Sequence, residues 1–308
     1  MQLIYKPTNA RVVIVLALIL FLFVSGKEGN ATSYTWNGSV STLWGEPNNW
    51  TPAGIPDFGD DVIISNQTNN PLYEEVSGLN NFTINSGTLD LNGFTIVITG
   101  SANFLGGTIS NGGIDCSGTT VFDGATLSAT IAVSSSSCSF NGGVYNNPIT
   151  LTKTGSGNST SAGGNTFNST FSLTNNGSGE VQLASIDADT YVGNVTFSNT
   201  AGGWISASHS GTGTLYQGNI TLNSTGSSLG IRLGQGGGTS TMSSTKTLII
   251  GGSGFSIGDL YLKNFVQSGS TAQSLSLTGT AALYLETGTK FNGVVTFSAP
   301  QVYLNGTS

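Results

Sequence analysis

Charge is what this sequence has least of. Only 8 of its 308 residues are Lys or Arg and 15 are Asp or Glu, 7% in all, against about 25% in an average globular domain. So few cations exclude a nucleic-acid binder, which must neutralise phosphates. One histidine and two cysteines are too few for a zinc site built from clustered Cys and His. Strong helix formers give way to Ser, Thr, Asn and 45 glycines, all poor in helix interiors, so long helices are excluded. Apolar residues nonetheless make up 37% and recur along the whole chain, enough for a core and too many for a charge-driven disordered tail.

Long apolar runs are equally rare. Lys6 and Arg11 precede the one unbroken run, Val12 to Val24. It is shorter than the roughly 20 residues of a membrane span and fits the roughly 7–15 of a signal-peptide core. Small residues follow at Ser25, Gly26, Gly29 and Ala31, which suit cleavage. Residues 1–31 are therefore expected to be a signal peptide. The mature chain would then be secreted or exposed at the outer cell surface, with no transmembrane helix. Its five basic residues, Lys153, Arg232, Lys246, Lys263 and Lys290, are outnumbered by the acidic ones.

A heptapeptide recurs in what remains: YNNPITL at 145–151, FNSTFSL at 167–173, YVGNVTF at 191–197, YQGNITL at 216–222 and FNGVVTF at 291–297. The template is an aromatic, three small or polar residues, then apolar, Ser/Thr, apolar. From Tyr145 to Phe167, Tyr191 and Tyr216 the copies advance by steps of 22, 24 and 25, and Phe291 follows Tyr216 after three more steps of the last size. A degenerate copy, MSSTKTL, begins at Met242. Two further short alternating runs fill each period, as in WISAS (204–208) and TLYQ (214–217). Alternation of period 2 marks strands with one buried face.

Three strands per period in the low twenties predict an all-β fold, a right-handed parallel β-helix with coils of about 20–26 residues, nine or ten in number. A single coil cannot bury its inward residues, so each must stack on its neighbours about 4.8 Å away. Tyr145, Phe167, Tyr191, Tyr216 and Phe291 would form an aromatic ladder, with pairs such as Ile149/Leu151 and Val195/Phe197 stacked beside it. Charge is rare because columns of like charge repel, while Ser, Thr and Asn columns exchange hydrogen bonds. The rival is a chain of β-sandwich modules, which gives no reason for one heptapeptide to return every coil.

Residues 32–78 read differently. They hold Trp36, Trp44 and Trp50 and four of the seven prolines, and are expected to cap the open edge of the first coil. A tryptophan platform for sugars is the functional alternative. Solenoid repeats would fill 79–308, cut short at the C-terminus. The opening Trp36, Trp44, Asn49, Trp50, Pro56, Asp61, Val62, Ile63 and the run TINSGTLDLNGFTIVITG resemble the start of secreted, repetitive β-solenoid proteins of Bacteroidota-type bacteria. The resemblance implies an adhesin-like surface protein, exported to the outer membrane surface. The C-terminal sorting domain of that family is absent from this sequence.

Chemistry-bearing residues are sparse. His209 has Ser208, Ser210, Asp187 and Asp189 nearby in sequence, but no G-x-S-x-G elbow accompanies them. Asp57, Asp60 and Asp61 are read as turn caps in preference to a Ca²⁺ site, because calcium-loop spacing is missing. The step from Cys116 to Cys138 is one period of the repeat, which predicts a rung-to-rung disulfide, with two buried thiols as the alternative. The expectation is a structural or adhesin-like element, without catalysis or cofactor, whose partners are surface glycans or other cell-surface molecules. The alternative is a carbohydrate-binding or carbohydrate-active β-helix, with Trp204 and the Asp187/Asp189 turn as the place to look.

Overall fold

The computed structural model describes residues 31–74 and 78–306. The expected signal peptide lies outside the described residues apart from Ala31. From Ser33 on, the chain is a β-solenoid of about 11 turns, without an α-helix among the described residues. Each coil visits three faces. The first face begins with Ser33–Trp36, Asp61–Ile64 and Phe82–Ile84 and ends with Gln301–Asn305. The second carries Val144–Tyr145, Thr166–Phe167, Thr190–Tyr191 and their equivalents. The third carries Ile149–Lys153, Phe171–Asn175, Val195–Asn199 and Ile220–Ser224.

Successive rungs pair in parallel and in register, as in Phe171↔Val195↔Ile220 and Leu173↔Phe197↔Leu222. Inward positions are buried and outward ones are not, the two-residue alternation of a strand. Glycines close the corner between the first and second faces. Gly107, Gly124 and Gly142 have φ of 75°, 71° and 65°, a region costly for other residues. The Thr108–Cys116 and Thr126–Ser135 strands run round the next corner unbroken, joining the second and third faces into one sheet.

Coil length varies more than the repeat suggests. In-register residues are 18 apart from Ala102 to Thr120 and 29 apart from Ile231 to Leu260, outside the expected range. The additional coil comes from the Trp-rich segment. Ser33–Trp36 and Asp61–Ile64 are already rungs of the first face, so residues 32–78 belong to the stack. Between these strands a long excursion folds back on the end of the solenoid. Trp50 meets Trp36 and Trp44 edge to face at 4.9 and 4.7 Å. All three indoles are buried, which removes them as an exposed sugar platform. Buried Asn49 ties the excursion together, accepting from Val40 and Ser41 amides and donating to the Leu43 carbonyl.

Two aromatic stacks run inside. Phe104, Phe122 and Phe140 on the first face stack at 4.9 and 4.8 Å. Phe140 meets Tyr145 edge-on at 5.6 Å, where the second-face ladder begins. Tyr145, Phe167, Tyr191 and Tyr216 then stack at 4.8, 4.8 and 5.0 Å, within 12° of parallel. Such contacts add about 0.5–1.5 kcal/mol each beyond area burial. Met242 and Gln267 continue that column down to Phe291, so Phe291 shares the column without touching the Tyr216 ring. The turn after Met242 is longer than the one after Tyr216, since Ile220 pairs with Leu248.

The cysteines occupy different faces. Cys116 pairs with Ile98 and Val133 on the third face, and Cys138 with Thr120 on the first. Both are free, buried thiols. The expected disulfide fails because the coils here are narrow. Ala102 pairs with Thr120 and Thr120 with Cys138, so one coil advances the chain by 18. The longer step from Cys116 to Cys138 overshoots one coil and lands round the corner.

Candidate functional site

The corners hold polar side chains that point inward. Ser135, Lys153, Asn175, Asn199 and Ser224 form one in-register column at the third-to-first corner, all fully buried. Each serves backbone carbonyls that the turn leaves facing inward. Asn199 donates to Gly203 and Gly230 carbonyls at 2.6 and 2.7 Å. Lys153 donates to Gly155 and Gly179. Asn165, Asp189, Thr214 and Ser240 form a second buried column at the first-to-second corner.

Asp189 sits in that second column. One carboxylate oxygen accepts from the Asn165 amide and side chain at 3.0 and 2.8 Å, and the other from the Tyr191 hydroxyl at 3.3 Å. Burial pushes its carboxyl up to about 6 against these bonds. Asp187 stays exposed on the turn. Ser208 turns inward to the Tyr216 hydroxyl at 3.0 Å, and Ser210 reaches the Gly236 carbonyl. None of these bonds reaches His209, so no Ser-His-Asp array is assembled. Asp61 holds Asn80 and Asn81, and Asp60 accepts from the Asp57 amide. Among the described residues no cluster of three His, Cys, Asp or Glu could hold a metal.

What gathers on the outside is a stripe along the C-terminal half of the first face. Two outward columns run down it. One reads Trp204, Gly230, Asp259, Ala282 and Gln301; the other Ser206, Arg232, Tyr261, Tyr284 and Tyr303. Arg232 lies over the Trp204 ring, 4.0 Å from its centroid, and pairs with Glu180 at 3.6 Å. The indole reaches across the Gly230 rung and meets Tyr261 at 5.7 Å. A Cβ at Gly230 would fall 2.0 Å from the Asp259 carbonyl oxygen. Tyr261, Tyr284 and Tyr303 stack at 4.2 and 4.5 Å. Burial raises the Asp259 carboxyl, against the hydrogen bond it shares with Tyr261.

The stripe is amphipathic and nearly neutral. Its rings spend their faces on one another and on Arg232, so they offer edges and hydroxyls outward. Glu180 is held by Arg232 and by the Ser206 hydroxyl. Trp204 is the one residue of the stripe singled out from the sequence. The rest followed no fixed period, because the step between rungs falls from 29 (Ile231 to Leu260) to 19 (Ala282 to Gln301) along it.

Comparison with known proteins adds little beyond the fold. A family described as a domain of unknown function (DUF8693) matches residues 35–111, the Trp-rich segment and the first coils. No curated protein and no solved structure matches the chain.

Proposed function

We propose that the chain is a secreted or cell-surface, adhesin-like structural element that works by contact and carries no catalysis. The observation behind this reading is where its ionisable and amide groups go. Lys153, Asn175, Asn199 and Asp189 are committed inside, holding one coil to the next. On the third face the outward column from Thr150 through Ser172 and Thr196 to Thr221 is uncharged Ser and Thr in register. The first-face stripe, with Trp204, Arg232 and the three tyrosines, is the contact surface in this reading.

Beads coated with the protein test it. They should adhere to cells or to a surface matrix, and Trp204→Ala should weaken adherence. Turnover of a polysaccharide that Asp259→Asn abolishes would overturn the non-catalytic part. Secretion is tested separately, by finding the mature chain outside the cell with its new N-terminus near residue 31.

A further inference from the structure

We infer that the first-face stripe is a track for a neutral, linear polysaccharide lying along the solenoid axis. The inference rests on the proposed role of this face as the contact surface and names what it contacts. Charge selects the class of partner. Along the stripe stand Glu180, Asp259 and Glu286, with Arg232 and, one rung above Glu286, Lys263. Three negative charges against two positive leave a net of −1, alternating in sign along the track. A polyanion or polycation gains nothing from such a pattern, whereas an uncharged polymer meets no repulsion.

The groups themselves fit hydroxylated rings. Trp204 and the tyrosines present ring edges and hydroxyls, and the carboxylates and guanidinium supply acceptors and donors beside them. The Arg232 side chain keeps 20% of its surface exposed beside Glu180, so its guanidinium can also donate to a ligand oxygen. The groups repeat at every coil, about 4.8 Å apart, so a polymer that repeats along its length can engage several rungs at once. Weak contacts add in that way without any one being strong. A compact ligand would use one rung only.

Native affinity electrophoresis of the full chain tests this, with mixed-linkage β-glucan, xylan and mannan as neutral polymers and polygalacturonate as the acidic one. At least one neutral polymer should retard the protein. Trp204→Ala and, separately, Tyr284→Ala should each weaken retardation about tenfold, while Thr196→Ala on the third face should leave it unchanged. Both stripe positions are partly exposed, and urea melts would verify that each variant is folded. Retardation by polygalacturonate alone, by none of the polymers, or undiminished in both stripe variants would overturn the inference. Bead adherence separates the two levels. If it stays sensitive to Trp204→Ala while no polymer binds, the polysaccharide is wrong and the contact surface stands; if it is insensitive, both fall.

Discussion

The coils between Phe82 and Asn141 and those between Tyr145 and Leu262 solve one problem in two ways. In the first group the chain returns to its rung quickly, from Phe82 to Ala102 and on to Thr120 and Cys138. Corners are short, glycine closes them, and the interior is filled by stacked Phe104, Phe122 and Phe140. In the second group the return takes longer, from Ser159 to Val181, from Val181 to Ile205, and longest from Ile231 to Leu260. The additional corner residues bring backbone carbonyls that face inward, and a buried carbonyl without a partner costs about 1–3 kcal/mol. Asn175, Asn199, Lys153 and Ser224 supply the missing donors. Apart from Ser135, where the polar column begins on the last narrow coil, coil length goes with whether the interior of a corner is apolar or polar.

The comparison is most open to breakage in the narrow coils. Phe122→Ala removes a ring held between two others, so it should cost about 3–5 kcal/mol, read from urea unfolding. Asn199→Ala attacks the wide coils by the other route, stripping donors from the Gly203 and Gly230 carbonyls. It should cost about 3 kcal/mol, while Asn199→Asp should also destabilise, because an acceptor cannot serve carbonyls. If Asn199→Leu were as stable as the parent, polar corners would be an accident of composition.

The wide coils were legible in the sequence because the heptapeptide separates its aromatic from its apolar strand by a turn. In the coils of Thr108–Cys116 and Thr126–Ser135 that turn is absent. Thr126–Ser135 passes from one face to the next as a single strand, so the template never appears. Phe104, Phe122 and Phe140, evenly spaced in sequence, carried the narrow period on their own. Transferring the wide period to Cys116 and Cys138 produced the mistaken disulfide. The polar corner column did leave a signal. Lys153, Asn175, Asn199 and Ser224 each stand just beyond the heptapeptide, at inward parity, where an apolar residue would be expected. The outer stripe left only Trp204, since coil length changes at each of its rungs.

Asp189 sharpens the contrast, because it places an acid where the narrow coils place glycine or alanine. Its carboxyl is raised by burial from the ordinary 3.8 to about 6. The folded chain therefore holds a proton that the unfolded chain has already released between about pH 4 and 6. Stability should be greatest below this window and fall as pH rises through it, by up to roughly 3 kcal/mol. Asp189→Asn keeps an acceptor for Asn165 and should remove most of that slope, leaving the variant more stable than the parent at pH 7. An unchanged slope would mean that another group carries it.

The smallest effect expected is at the thiols. Cys116 and Cys138 sit on different faces of the narrow coils, and burial raises the Cys138 thiol to about 12 despite its Ser159 neighbour. Both thiols are buried, so both should resist a thiol reagent until the chain unfolds. Reductant should shift the urea midpoint by less than the error of measurement, and two thiols should titrate in denaturant alone. Protection also reports locally. Both thiols are buried in the coils that hold the stacked phenylalanines, so Phe122→Ala should expose them to reagent at urea concentrations where Asn199→Ala does not. Equal loss of protection in the two variants would mean that the solenoid opens as one unit and that the two kinds of coil share a single stability.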